Sequence, residues 1–223
     1  ANNSVWTYTT KVTGKKLAAD IGRNTADGYT WKINGAAGKP DWTDDDTAVG
    51  GSGNGVLTQI YLDTNASGTT TANLFTIPTY VAQVSSYNNS KKELTLKNVT
   101  GAVQLTDVVT NSKNMTLTSD DFDNLDSFAK DDYVLVTEAN GIIQTIKKAD
   151  VVTGDVSSYV VDKNVTVDGT KYSYTKGYEG PDGNYKLNTE FELFMDDYGY
   201  VIFAKGVEAD DDYLYVTKAA MTG

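Results

Sequence analysis

Apolar and polar side chains alternate with period two along most of this chain, in short runs broken by Asn, Asp and Gly. That period places successive side chains on opposite faces of an extended backbone, so each run reads as a half-buried strand. The first lies over 5–12, where Val5, Trp6, Thr7, Tyr8 and Val12 follow the pattern. A second covers 29–33 and turns at Asn34-Gly35, a pair suited to the positive φ of a tight hairpin turn. Runs over 56–62 and 72–77 predict a hairpin. Further strands are expected at 80–87, 93–99, 103–105, 133–137 and 142–146, then at 154–161, 164–167, 171–175, 191–195, 201–204 and 213–217. Asp168-Gly169 marks a tight turn between two of them. The stretch 119–125 reads as a short helical turn with Ser119 or Asp120 as its N-cap and acids in its first turn. No long helical period separates the strands, which argues against a parallel α/β sheet.

The pattern also recurs. Val84-Ser85-Ser86-Tyr87 returns as Val156-Ser157-Ser158-Tyr159, and each block is followed by a second strand-like run. The run from Asp132 to Ile143 reads like the run from Glu190 to Val201: a strand, a polar turn ending in Gly, and another strand. Leu57 to Gly68 is a looser third version. Recurrence of this kind builds length and surface rather than one deep pocket. The expectation is therefore all-β: tandem small β-barrel or β-sandwich modules with little helix, divided as 1–78, 79–150 and 151–223, the last two being repeat copies.

Composition narrows the chemistry. The chain has 223 residues, with no Cys and no His. Disulfides, thiolate nucleophiles and Ser-His-Asp or Cys-His machinery are thereby excluded. The formal charge is −11, and Arg23 is the sole arginine. Nucleic acid, which demands clustered Lys and Arg, is not an expected partner, and neither is insertion into a membrane. The same charge suits cations or a basic partner.

Acidic clusters are the first candidate sites. Asp44, Asp45 and Asp46, and Glu208 with Asp210, Asp211 and Asp212, are the best placed for calcium, which takes several oxygen ligands. None has EF-hand spacing, and solvated turns are the competing explanation for each. Two facing carboxylates would suit glycoside hydrolysis, but no local pattern singles out a pair among 30 acids. Trp6 and Trp31 alternate within strands and are expected in the core. Trp42, in a loop beside Pro40, is the candidate for an exposed sugar platform. The run Gly50-Gly51-Ser52-Gly53-Asn54-Gly55 lacks the Lys-Ser/Thr ending of a phosphate loop and reads as a flexible connection.

The segments from Asp150 to Tyr159, from Val165 to Tyr172 and from Phe191 to Ile202 resemble the repetitive β-rich region of large S-layer and S-layer-homology-containing surface proteins of clostridia-like Gram-positive bacteria. The similarity covers roughly Gln59 to the C-terminus. It implies an extracellular home on the bacterial cell wall and a secreted parent protein. The implied function is non-catalytic: a structural spacer that stacks modules through short linkers and touches neighbouring surface-protein modules. An adhesin or carbohydrate-binding module, meeting carbohydrate or a host surface through exposed aromatics, is the alternative, and a glycoside hydrolase the third reading. No cofactor is expected, calcium excepted.

Overall fold

In a computed structural model, residues 4–22, 28–40, 48–109 and 115–207 are described. Among them three five-stranded sheets follow one another along the chain, and the fold is all-β. The one α-helix, α1 (Gly14–Ile21), escaped the period-two reading because it has only 8 residues and opens on Gly and two lysines. Its end signals were nevertheless in the sequence. Thr13 Oγ1 accepts from Lys16 N–H at 3.1 Å, and Gly22 closes it in the left-handed region. No described helix is long and apolar enough to cross a membrane.

The first sheet contains β1 (Ser4–Tyr8), β2 (Thr30–Ile33), β3 (Ala36–Ala37), β4 (Leu57–Thr64) and β5 (Thr70–Ile77), in the order β1-β4-β5-β2-β3. All pairs are antiparallel except β2 with β5. Asn34 and Gly35 make the expected turn, both at positive φ. Ile60, Ala72 and Leu74 point inward with Trp31 and are sealed by Leu17 of the helix. Trp31 is buried as expected, and Trp6 is half-buried against the same core.

The second sheet contains β6 (Thr79–Asn88), β7 (Glu93–Asn98), β8 (Thr116–Thr118), β9 (Tyr133–Ala139) and β10 (Ile142–Lys148). The third contains β11 (Asp150–Val160), β12 (Asn164–Val167), β13 (Thr170–Ser173), β14 (Glu190–Met195) and β15 (Val201–Gly206). Their orders are β10-β9-β6-β7-β8 and β15-β14-β11-β12-β13, one plan used twice. The correspondence extends to single residues. Ser85 is extra between the rungs Val84↔Leu96 and Ser86↔Thr95, and Ser157 is extra between Val156↔Val167 and Ser158↔Thr166. The recurring Val-Ser-Ser-Tyr block is thus a β-bulge, which bends the strand and moves its later side chains to the other face. A second bulge recurs at Gln144 and Ile202. Val84 N–H donates to Asp132 O and Val84 O accepts from Asp131 N–H; Val156 N–H donates to Thr189 O and Val156 O accepts from Asn188 N–H in the same way. The first sheet shares only the opening strand paired with a closing hairpin, β1-β4-β5, and has no bulge in these pairings.

Several local expectations are corrected. Residues 103–105 are not a strand. The backbone makes a 3-10 turn at Leu105–Asp107, Leu105 plugs the second core, and Gln104 Nε2 donates to Val99 O and Ala102 O. The helical turn lies at Leu125–Ser127, preceded by Asn124 at positive φ rather than capped by Ser119 or Asp120. Ser119 N–H is taken by Lys92 O, and Thr118 O accepts from Asp121 and Phe122, so the chain reverses there. The strand expected at 5–12 ends at Tyr8, and 213–217 lies outside the described residues.

Deleting Ser157 should force a register slip through the rest of β11 and cost more than about 2 kcal/mol in urea unfolding. Ser157→Ala, which loses one exposed hydrogen bond to Thr166 O, should stay within about 0.5 kcal/mol. Equal effects would mean that the bulge has no structural role.

Candidate functional site

Every site residue singled out from the sequence — Trp42, Asp44, Asp45, Asp46, Glu208, Asp210, Asp211 and Asp212 — lies outside the described residues. Among those described, no group of three or more Asp or Glu is arranged to hold a metal ion. Asp131 and Asp132, an acidic pair within the described residues, have structural partners. Asp132 accepts from Ala129 N–H and pairs with Lys148 at 2.8 Å, and the Lys148 bond leads in holding its carboxyl below the usual range. Asp131 sits at positive φ and reaches Lys97.

Three other surfaces stand out. The first is internal. Val81, Leu135 and Tyr133 lie on one face of the second sheet, and Phe194 and Phe203 on the equivalent face of the third. The Tyr133 ring lies 4.3 Å from Phe194 and 5.7 Å from Phe203 by centroids. Lys205 extends over the Tyr133 ring at 5.2 Å while pairing with Glu192 at 2.8 Å. Lys147 of the second sheet pairs with Asp197 in the third sheet's β14–β15 turn. Val81 and Leu135 therefore belong to the third sheet's core, while their neighbours Ala82, Val134 and Val136 belong to the second's. A strand buried on both faces loses its alternation, which is why Tyr80, Val81 and Ala82 are all buried in succession.

The second surface joins the first sheet to the third. The Gly-rich run is anchored, which corrects the expectation of a flexible connection. Asn54 Nδ2 donates to Tyr174 O at 3.2 Å, and Asn54 O accepts from Lys176 N–H at 2.9 Å and from Thr175 Oγ1 at 3.1 Å. Lys176 Nζ reaches Gly51 O. The glycines are there for contact. A β-carbon on Gly55 would stand 2.1 Å from Asp196 Oδ2 and 2.3 Å from Thr175 Oγ1, and its φ is +74°. Asp196 is 4% exposed. Its Oδ1 accepts from Tyr198 and Tyr200 N–H at 2.9 Å, whereas Oδ2 has no partner. Burial pushes this carboxyl above its ordinary range, against the backbone bonds and the neighbouring Thr175 hydroxyl that favour its charge. Beside this contact opens a cleft of about 610 Å³, flanked by Lys11, Lys163 and Lys176.

The third surface is the outer face of the first sheet. The rungs Tyr61↔Asn73 and Gln59↔Phe75 alternate with inward-facing ones. Tyr61 and Phe75 meet edge to face at 5.9 Å, and Tyr61 O–H donates to Gln59 Oε1 at 2.9 Å. With Ile77 they line an uncharged hollow of about 490 Å³. The sequence signal for this set was the outward half of the β4–β5 hairpin. Among the described residues Tyr174, Tyr178 and Tyr185 serve the core: they form a ring cluster on Phe191, and burial raises their phenol pKa values.

No family model matches this chain, and no curated protein does.

Replacing Tyr133 by Ala removes the ring that both sheets share. The expected cost is about 2–4 kcal/mol in chemical denaturation, with amides of both sheets losing protection together. Loss confined to the second sheet would separate the two cores.

Proposed function

We propose that this chain is a non-catalytic structural spacer segment of a bacterial cell-surface protein of the S-layer-like kind, with residues 79–150 and 151–223 as tandem copies of one module. The observation that carries the reading is the shortness of the joints. β5 passes into β6 across Pro78 alone, and β10 into β11 across Ala149 alone. A single residue cannot act as a flexible linker, and proline at one joint fixes φ as well. Joined this way and packed through Tyr133, successive sheets transmit position instead of swinging freely. Lateral contacts with neighbouring surface-protein modules would use the outer faces. Pulling on the chain by its ends tests this. The second and third sheets should rupture in one event, because they share a core. Two separate ruptures at independent forces would overturn the stiff-spacer reading.

The outer face of the first sheet supports a second reading, a carbohydrate-binding module. Tyr61 and Phe75 offer ring surface, Gln59 and Asn73 offer amides, and no charged side chain lines the hollow. That combination suits the apolar faces and hydroxyls of a neutral sugar. Titration with neutral wall-type polysaccharides should then show binding that Phe75→Ala weakens by at least about tenfold, equivalent to 1.4 kcal/mol. Binding that is absent, or indifferent to the substitution, removes this reading.

A further inference from the structure

The contact between the Gly-rich run and the third sheet contains a buried carboxyl oxygen with no partner, and a hydroxyl that can serve only one acceptor at a time. We propose that Asp196 is an acid-dependent latch: when neutral it donates from Oδ2 to Thr175 Oγ1, leaving the Thr175 proton for Asn54 O and the first sheet seated on the third.

The geometry sets up the competition. Asp196 Oδ2 and Thr175 Oγ1 both lie against the Gly55 α-carbon, in the space a β-carbon would fill. Thr175 Oγ1 now donates to Asn54 O at 3.1 Å. An ionised carboxylate is the stronger acceptor and has no proton to give. It draws the Thr175 hydroxyl toward itself, and Asn54 O loses one of its two bonds to the third sheet. A buried charge also attracts water, which must enter between Gly55 and the β14–β15 turn. Beside Lys176 N–H to Asn54 O, the ties left at this contact, Asn54 Nδ2 to Tyr174 O and Lys176 Nζ to Gly51 O, are partly or fully exposed and hold the loop less firmly.

The charged groups facing Asp196 are engaged elsewhere, so its charge is met only by neutral donors, the Tyr198 and Tyr200 N–H groups and the Thr175 hydroxyl. From its own turn come Asp197, engaged with Lys147, and Tyr198, whose phenol is raised chiefly by burial and then by Asp196. From the segment after β13 come Thr175 and Lys176, the lysine being turned to Gly51. The Gly50 to Gly55 run contributes no titratable group. Burial raises the carboxyl above its ordinary value of 3.8. Such an acid contributes its full stabilisation below that value and loses it as pH rises through the folded-state value. The contact is therefore tightest in acid and loosens as pH rises.

The test is amide hydrogen exchange on the whole chain, normalised to intrinsic rates, from about pH 4 to about pH 8. Lys176 N–H, which donates to Asn54 O, reads the latch, and Val84 N–H in the second sheet is the internal control. Protection at Lys176 should fall by at least about tenfold across this range while Val84 holds steady. Asp196→Asn keeps the Oδ1 acceptor and supplies a permanent donor, so its protection should stay high and flat. Thr175→Val should be flat and low, because the relay is gone. Gly55→Ala should open the contact at every pH by steric clash. A wild-type profile that Asp196→Asn reproduces overturns the latch. So does a Lys176 protection that rises with pH, or one that changes only in step with Val84.

Discussion

Tyr133 packs against both Phe194 and Phe203, which also meet each other, and the arrangement of the second and third sheets depends on that three-ring cluster. A sheet with one wet face needs only a helix or loop over its other face. The second sheet instead gives one face to its own loop plugs, Leu105, Leu125 and Phe128, and the other to the third sheet. Burial of Val81 and Leu135 thus belongs to a core that is completed only when the next sheet has formed. Each such side chain contributes about 1.5–3 kcal/mol when taken fully from water. The joint at Ala149 is short enough to make that encounter local, so little loop-closure entropy opposes it.

The alternation of side chains was enough to locate most of the strands, and the Asn-Gly and Asp-Gly turns placed two hairpins. The recurrence of Val-Ser-Ser-Tyr pointed to equivalent segments, but not to what the serines do. A bulge costs the sequence nothing distinctive: Ser85 and Ser157 are ordinary polar residues, and only the partner strand reveals the extra one. The parallel pairing of β2 with β5 was equally hidden, since direction is a tertiary property. Residues 103–105 looked like a strand because apolar residues surround Gln104, yet Leu105 is a plug held by a turn. The Gly-rich run was misread for a related reason. Glycine signals either freedom or close approach, and only the neighbour, here Asp196 with Thr175, decides which. Composition drew attention to Trp42 and the acidic loops, whereas the aromatic set on the outer face of the first sheet is spread over two strands and emerges only from their register.

The two matching sheets meet through equivalent faces, and this constrains how such modules can extend. Contact between equivalent faces closes on itself; a third copy cannot join by the same surface. Side chains at corresponding positions reinforce the point. Where the second sheet has Tyr133 and Leu135 opposite Gln83 and Val81, the third has Glu190 and Glu192 opposite Asp155 and Thr153. Where the third has Phe194 paired with Phe203, the second has Thr137 paired with Thr145. Each sheet supplies apolar surface one rung away from where the other lacks it. Two copies of the second sheet would set Thr against Tyr, and two of the third would set Glu190 against Phe194 and Phe203. The divergence between the sheets thus favours pairing within one chain over pairing between chains. On the proposed spacer reading, extension beyond the pair would use other surfaces. The docking of the Gly-rich run beside Thr175 and Asp196 is a contact of that other kind within this chain, since it joins unlike parts.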